Sequence, residues 1–157
     1  MSYLKAKQHL EKHNLESRII EFSSSTATVA LAAEQVGVSE GEIAKSMSFL
    51  VNDQPILVIV AGDKKIDNAK YKREFLVKAK MIPFEEVENY IGHAAGGVCP
   101  FGINDNVRVY LDLSLKKYEY VYPACGTSNT AVKLLINELE NASKYIKWVD
   151  VCKEGEI

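Results

Sequence analysis

Met47-Ser48-Phe49-Leu50-Val51 and Pro55-Ile56-Leu57-Val58-Ile59-Val60-Ala61, separated by Asn52-Asp53-Gln54, decide the fold. Two apolar runs joined by turn residues predict a β-hairpin. The second run is apolar throughout, the pattern of a strand covered on both faces, and is predicted to be central. Its six residues Ile56 to Ala61 form the longest apolar run of the chain, too short to cross a bilayer.

Upstream of the hairpin, Ser39-Glu40-Gly41-Glu42 has capping-box spacing and predicts a helical turn that delivers Ile43 and Ala44 inward, so that Lys45 begins the strand. Before it, Arg18 to Phe22 reads as a short strand. The Ser23-Ser24-Ser25-Thr26 cluster then caps a helix carrying Val29, Ala32, Ala33 and Val36, which Gly37 stops. Tyr3, Ala6 and Leu10 recur at helical spacing in a first helix from Ser2 to about Asn14. His9 and His13 lie four apart on it, but no third ligand accompanies them, and they read as a surface pair.

Downstream, Ala69, Tyr71, Phe75 and Leu76 give weak helical periodicity between Asp67 and Lys78, and Phe84, Val87 and Ile91 mark a short helix after Pro83. Val107 to Leu113, Glu119 to Tyr122, Ala131 to Ile136 and Ile146 to Val151 read as strands. Asn137 with Glu140 starts a helix to about Ser143. Strands and short helices with hairpin-length connections favour a mixed sheet in one α/β domain over residues 1–157, without repeat or linker.

The chain has 157 residues, 47% hydrophobic and 25% charged, and this predicts a folded core. The polar, charged start from Met1 to Lys7 lacks the apolar stretch of a signal peptide, so a cytoplasmic protein is expected. Cys99, Cys125 and Cys152 form no Cys-x-x-Cys pair and read as reduced thiols, either buried or, within the glycine loops, nucleophilic. The net charge of −2 argues against indiscriminate nucleic-acid binding. Lys64, Lys65, Lys70, Lys72, Arg73, Lys78 and Lys80 nevertheless face only Asp67 and Glu74, which leaves a basic stretch that either docks a phosphate backbone or forms a solvated helix face.

Gly96-Gly97-Val98-Cys99-Pro100-Phe101-Gly102 is neither helix nor central strand, because glycine adds backbone freedom and proline removes a donor. Such a loop is a plain turn, or it brings backbone N–H groups up to a ligand oxygen. A second glycine turn follows at Ala124-Cys125-Gly126-Thr127.

In order, Ile43-Ala44-Lys45-Ser46-Met47-Ser48-Phe49, Ala61-Gly62-Asp63-Lys64-Lys65, the Gly96 to Gly102 loop, Val109-Tyr110-Leu111-Asp112-Leu113-Ser114 and Ala124-Cys125-Gly126 make a series. It resembles the YbaK family of aminoacyl-tRNA deacylases, related to the editing domain inserted in bacterial prolyl-tRNA synthetases. The similarity runs from roughly Phe22 to Val151. It implies a mixed, β-barrel-like sheet surrounded by short helices, and a freestanding protein that hydrolyses mischarged aminoacyl-tRNA in trans without metal or organic cofactor. A synthetase partner is plausible on the same grounds.

By this resemblance Lys45 is the central residue of the editing pocket, Gly96 to Gly102 and Ala124 to Gly126 enclose the substrate, and Asp112 is the acidic position on the intervening strand. Expected catalytic residues are therefore Lys45, Gly96, Gly97 and Asp112; Asp112 either orients Lys45 by an ion pair or is an acidic residue that ends an edge strand. Expected substrate contacts are Phe22, Thr26, Val29, Met47, Val98, Pro100, Phe101, Gly102, Ala124, Cys125, Gly126 and Thr127. Lys64, Lys65, Lys70, Lys72 and Arg73 are expected at the tRNA.

The ester needs stabilisation of the charge that grows on its carbonyl oxygen; Lys45 supplies positive charge beside that oxygen or holds the terminal phosphate, while N–H groups of the glycine loops hold the ester in place. No Gly-x-Ser-x-Gly elbow is present, and either His93 or the substrate's ribose hydroxyl is open as the group assisting water. Two other functions stay open: a tRNA-binding or regulatory module without turnover, and a hydrolase of another small activated acyl conjugate.

Overall fold

The computed structural model describes residues 2–153. Eight strands and five α-helices follow the order α1 (Ser2–Glu11), β1 (Ile19–Glu21), α2 (Val29–Val36), β2 (Ala44–Val51), β3 (Gln54–Ala61), α3 (Asn68–Phe75), α4 (Val87–Ile91), β4 (Arg108–Asp112), β5 (Tyr120–Val121), β6 (Thr130–Val132), β7 (Leu134–Leu135), α5 (Ile136–Ser143) and β8 (Lys147–Val149).

The expected hairpin is present. Asn52 and Asp53 both take positive φ, the two-residue turn whose twist matches antiparallel strands, and Gln54 already belongs to β3. The main sheet runs β2-β3-β4-β8, antiparallel at its first pair and parallel at the other two. β3 is central and buried along nearly its whole length. The sheet is mixed, as expected, but it does not close. β1 pairs with β6 and β5 with β7 as separate two-stranded ribbons. The barrel-like closure therefore gives way to an open sheet in a single α/β domain. The run from Ala131 to Ile136 explains why: it divides at Lys133 between two ribbons, and Ile136 already opens α5.

Alternation along β2 and β3 feeds two cores. Ala44, Leu50, Leu57 and Ile59 join Val109 and Leu111 on one face, covered by α1, α4 and α5 through Ala6, Leu10, Val87, Ile91, Leu139 and Ala142. Phe49, Val58 and Val60 join Tyr110 and Val149 on the other, covered by Tyr71 and Phe75 of α3. The capping box at Ser39 and Glu42 forms as expected, with the Ser39 N–H donating to the Glu42 carboxylate at 3.0 Å. Thr28, rather than the serine cluster before it, caps α2 by accepting the Leu31 N–H. At α5 the Leu135 N–H reaches Glu138, two residues earlier than the Asn137 and Glu140 spacing suggested.

His9 is structural. Its Nδ1 accepts the Gly102 N–H at 3.0 Å while Nε2 lies 2.6 Å from the Ala142 carbonyl oxygen, so a neutral ring with its proton on Nε2 ties α1 to a glycine loop and to α5. No group of residues suited to holding a metal occurs among the described residues. No helix among them is long and apolar enough to cross a membrane.

Candidate functional site

A cavity of about 550 Å³ opens beside the outer edge of β2. Its floor includes Ala44, Ser46 and Ser48; its walls include Val29 and Ala32 of α2, Val87 of α4, Ile43, Tyr122 and Ala131. Thr26, Thr28 and Thr130 add hydroxyl groups to a mostly apolar lining. At the rim Met81 and Phe84 are 59% and 77% exposed.

Two straps frame this opening. Residues around Met81 run antiparallel to β2, with the Leu50 N–H donating to the Lys80 carbonyl oxygen at 2.9 Å and the Ile82 N–H to that of Ser48 at 3.1 Å. At the other end the Ala44 N–H donates to the Tyr122 carbonyl oxygen at 3.1 Å, in a parallel bridge between Ile43 and Tyr122. Each strap runs into a proline, Pro83 or Pro123. Proline has no N–H with which to continue a ladder.

Of the residues expected at the site, Lys45, Gly96, Thr26, Val29, Met47, Val98 and Ala124 line the cavity. Lys45 alternates onto the sheet face opposite Ser46, and its ammonium donates to the Lys64 carbonyl oxygen at 2.9 Å. Burial lowers its pKa, which the charge of Asp63 partly restores and that of Lys65 lowers further.

Asp112 is buried, and its carboxylate accepts the N–H groups of Ser114 and Val151, both at 2.9 Å. It fastens β4 to the chain after β8 and makes no ion pair with Lys45 among the described residues.

Gly97, Pro100, Phe101, Gly102, Cys125, Gly126, Thr127 and Phe22 fall outside the cavity lining. The reason is packing. A Cβ on Gly102 would stand 2.6 Å from the Lys5 carbonyl carbon, and one on Gly126 2.6 Å from the Ser2 carbonyl oxygen. These glycines admit the backbone of α1 rather than a ligand. Phe101 is fully buried with its ring edge toward His9. Thr127 bonds Asn129 and Thr130, and Asn129 in turn donates to the Phe22 carbonyl oxygen.

His93 is buried with Nε2 at 2.6 Å from the Phe101 carbonyl oxygen, away from the cavity lining, and burial lowers its pKa. The cysteines are buried too. Burial pushes the Cys99 thiol up strongly and the Cys125 and Cys152 thiols to about 12, so none is a thiolate nucleophile.

In the basic stretch, Lys65, Lys72 and Arg73 are exposed and Lys64 is half-buried, while Lys70 is held by the Asp150 carboxylate at 3.2 Å and the Cys152 carbonyl oxygen at 2.9 Å. α3 covers the sheet face opposite the cavity floor; Lys78 and Lys80, both exposed, lie on the run that leads to the cavity rim. Sequence reasoning missed Ser46, Ser48, Met81 and Phe84. The strand alternation that orients the serines was legible, but the strap that makes an edge of β2 into a cavity wall was not.

The model of the aminoacyl-tRNA editing domain matches residues 23–142. The chain belongs to this YbaK/aminoacyl-tRNA editing domain family. The editing domain is 47% identical over 157 residues to the "Uncharacterized protein YwhH" of Bacillus subtilis (strain 168), covering 99% of this chain and 100% of that one. It is 27% identical over 118 residues to a proline--tRNA ligase of Lactiplantibacillus plantarum, covering 73% of this chain but only 20% of the ligase. A crystal structure of "a putative trans-editing enzyme for prolyl tRNA synthetase" superposes on the editing domain with a TM-score of 0.87 at 29% identity, covering 97% of each chain.

Proposed function

We propose that this editing domain is a trans-acting deacylase that hydrolyses the ester between a small mischarged amino acid and the terminal ribose of tRNA. The observation that carries the reading is the cavity itself: a mostly apolar chamber with hydroxyl groups in its lining, a lysine at its wall and an exposed aromatic ring at its rim. The aminoacyl group fills the chamber, and the terminal nucleoside, which must lie at the mouth, rests against Phe84 and Met81.

Among the described residues no histidine, cysteine or carboxylate lines the cavity. Charge stabilisation therefore outweighs proton transfer by the protein. Water adds to the ester carbonyl carbon, and the bond to the ribose oxygen breaks. That oxygen takes up a proton, which leaves free amino acid and tRNA. Lys45 supplies positive charge at the wall, Gly96 supplies a backbone N–H, and the neighbouring ribose hydroxyl orients the water. A steric sieve built from Val29, Ala32, Val87, Val98 and Ala131 admits small side chains and rejects bulky ones. The bare lining equally suits a tRNA-binding module without turnover, and the same experiment separates the two. Amino acid release is measured from tRNAs charged with alanine, serine, threonine, cysteine and proline. Lys45-dependent release above the spontaneous rate is the result expected, and none from any ester overturns the deacylase.

A further inference from the structure

We infer that the unpaired backbone of Ser46 is the recognition element for the main-chain part of the substrate's aminoacyl group: its N–H donates to the ester carbonyl oxygen, and its C=O accepts the α-ammonium.

Hydrogen-bond parity along β2 sets up this rail. A two-residue turn closed by Val51 and Gln54 makes the pairs at 51, 49, 47 and 45 the ones that exchange bonds with β3, and residues 50, 48, 46 and 44 point their N–H and C=O groups outward. Three observations agree. Pro55, which has no N–H, stands opposite Leu50. The Leu50 N–H and Ser48 C=O bond the Lys80 to Ile82 strap, and the Ala44 N–H bonds Tyr122. Between those straps the N–H and C=O of Ser46 have no partner among the described residues.

The Ser46 Oγ is buried and likewise without a hydrogen-bond partner. Three polar groups of one half-buried, cavity-lining residue are therefore left without a protein partner and available to a ligand.

Shape and polarity select the occupant. From Ala44 to Ser48 the edge spans roughly 13 Å, and both ends are already taken by straps, so the gap admits one residue and no peptide strand. A donor and an acceptor on the same residue match the carbonyl and ammonium of a single α-aminoacyl group, forming the two-bond ring of an antiparallel pair. That group takes the position residue 84 would have held opposite Ser46 had Pro83 not turned the strap away. Recognition by main chain is indifferent to the amino acid's identity, and discrimination by side chain is left to the cavity walls.

This inference rests on the deacylase reading, and the two fail separately. The probes are 3′-deoxy-3′-(alanylamino)adenosine and its seryl counterpart, in which an amide replaces the labile ester, titrated into the full chain and followed by amide hydrogen exchange and chemical shift. In the free protein the Ser46 amide should exchange much faster than those of Lys45 and Met47. At saturation it should shift and slow about ten-fold or more. Ser46→Ala, which keeps the N–H, should bind a few-fold more weakly; Ser46→Pro, which removes an N–H facing away from β3, should bind at least about ten-fold more weakly. If the probes shift Val98 and Ala131 but leave the Ser46 amide unchanged, the inference falls and the deacylase stands, a result independent of whether the proline variant folds. If neither probe binds the wild-type chain, the aminoacyl-tRNA reading falls together with the inference.

Discussion

Gly126 donates its N–H to the carbonyl oxygen of Gly97 at 3.0 Å, and a Cβ on Gly97 would stand 2.6 Å from the Gly126 carbonyl carbon. The two glycine loops are thus clamped together, with α1 packed behind Gly126 and Gly102. Gly126→Ala, at φ +86 and against the Ser2 backbone, is expected to cost roughly 2 kcal/mol or more, a fall in Tm of about 4 °C or more. Gly37→Ala, at φ +85 with nothing within 4 Å of its Cβ, should cost only about 1 kcal/mol. Thermal unfolding of both variants compares backbone strain with and without steric conflict.

Lys45→Ala should slow deacylation by roughly 10²- to 10³-fold, the scale of a lost charge-stabilising donor. Because burial lowers the Lys45 pKa, activity that needs its charge should decline with rising pH before the ordinary lysine range is reached. Rate against pH for wild type and Lys45→Arg, which stays charged, checks the assignment; a limb that persists unchanged in the arginine variant excludes Lys45 as its source.

Phe84 is 77% exposed, so its removal should hardly alter Tm. If the terminal base stacks on it, Phe84→Ala should lose about 1–3 kcal/mol of binding, and Phe84→Trp should restore it. The measurement is KM for charged tRNA beside affinity for free amino acid, which should not change.

Lys78 and Lys80 lead to the cavity rim, whereas Lys72 and Arg73 lie on the helix covering the opposite sheet face. Neutralising Lys78 and Lys80 together should lower the slope of log affinity against log salt by about 1 to 2. The same change at Lys72 and Arg73 should matter less, and the reverse order would place the tRNA across α3.

His9 is folded as the neutral ring, and burial, the largest cause, lowers its pKa below the unfolded value of 6.5. Its stabilising contribution is therefore complete above pH 6.5 and is lost as pH falls through the folded pKa. His93 acts in the same direction. Tm measured from pH 7.5 to 5 should fall toward acid, and His9→Gln should flatten part of that slope while lowering Tm by roughly 2–4 °C at neutral pH.

Local chemistry made the hairpin, the capping box at Ser39 and Glu42 and the central β3 readable from the sequence, because turn residues, caps and apolar runs act between neighbours in the chain. The ordered motifs and the family resemblance they carry pointed to Lys45, Gly96 and Val98. They did not separate Gly96, which meets the cavity, from Gly97, Gly102 and Gly126, whose missing side chains admit other backbone. Nor did they separate an acidic residue oriented toward Lys45 from Asp112, whose oxygens are taken by Ser114 and Val151. The open edge at Ser46 is further still from local control. It exists because two segments, around Met81 and Tyr122, pair with the same strand and stop short of each other. Sequence alone determined the β2–β3 hairpin and its turn; tertiary structure decided which hydrogen-bonding groups were left over, since a group is unsatisfied only relative to every segment that comes within reach.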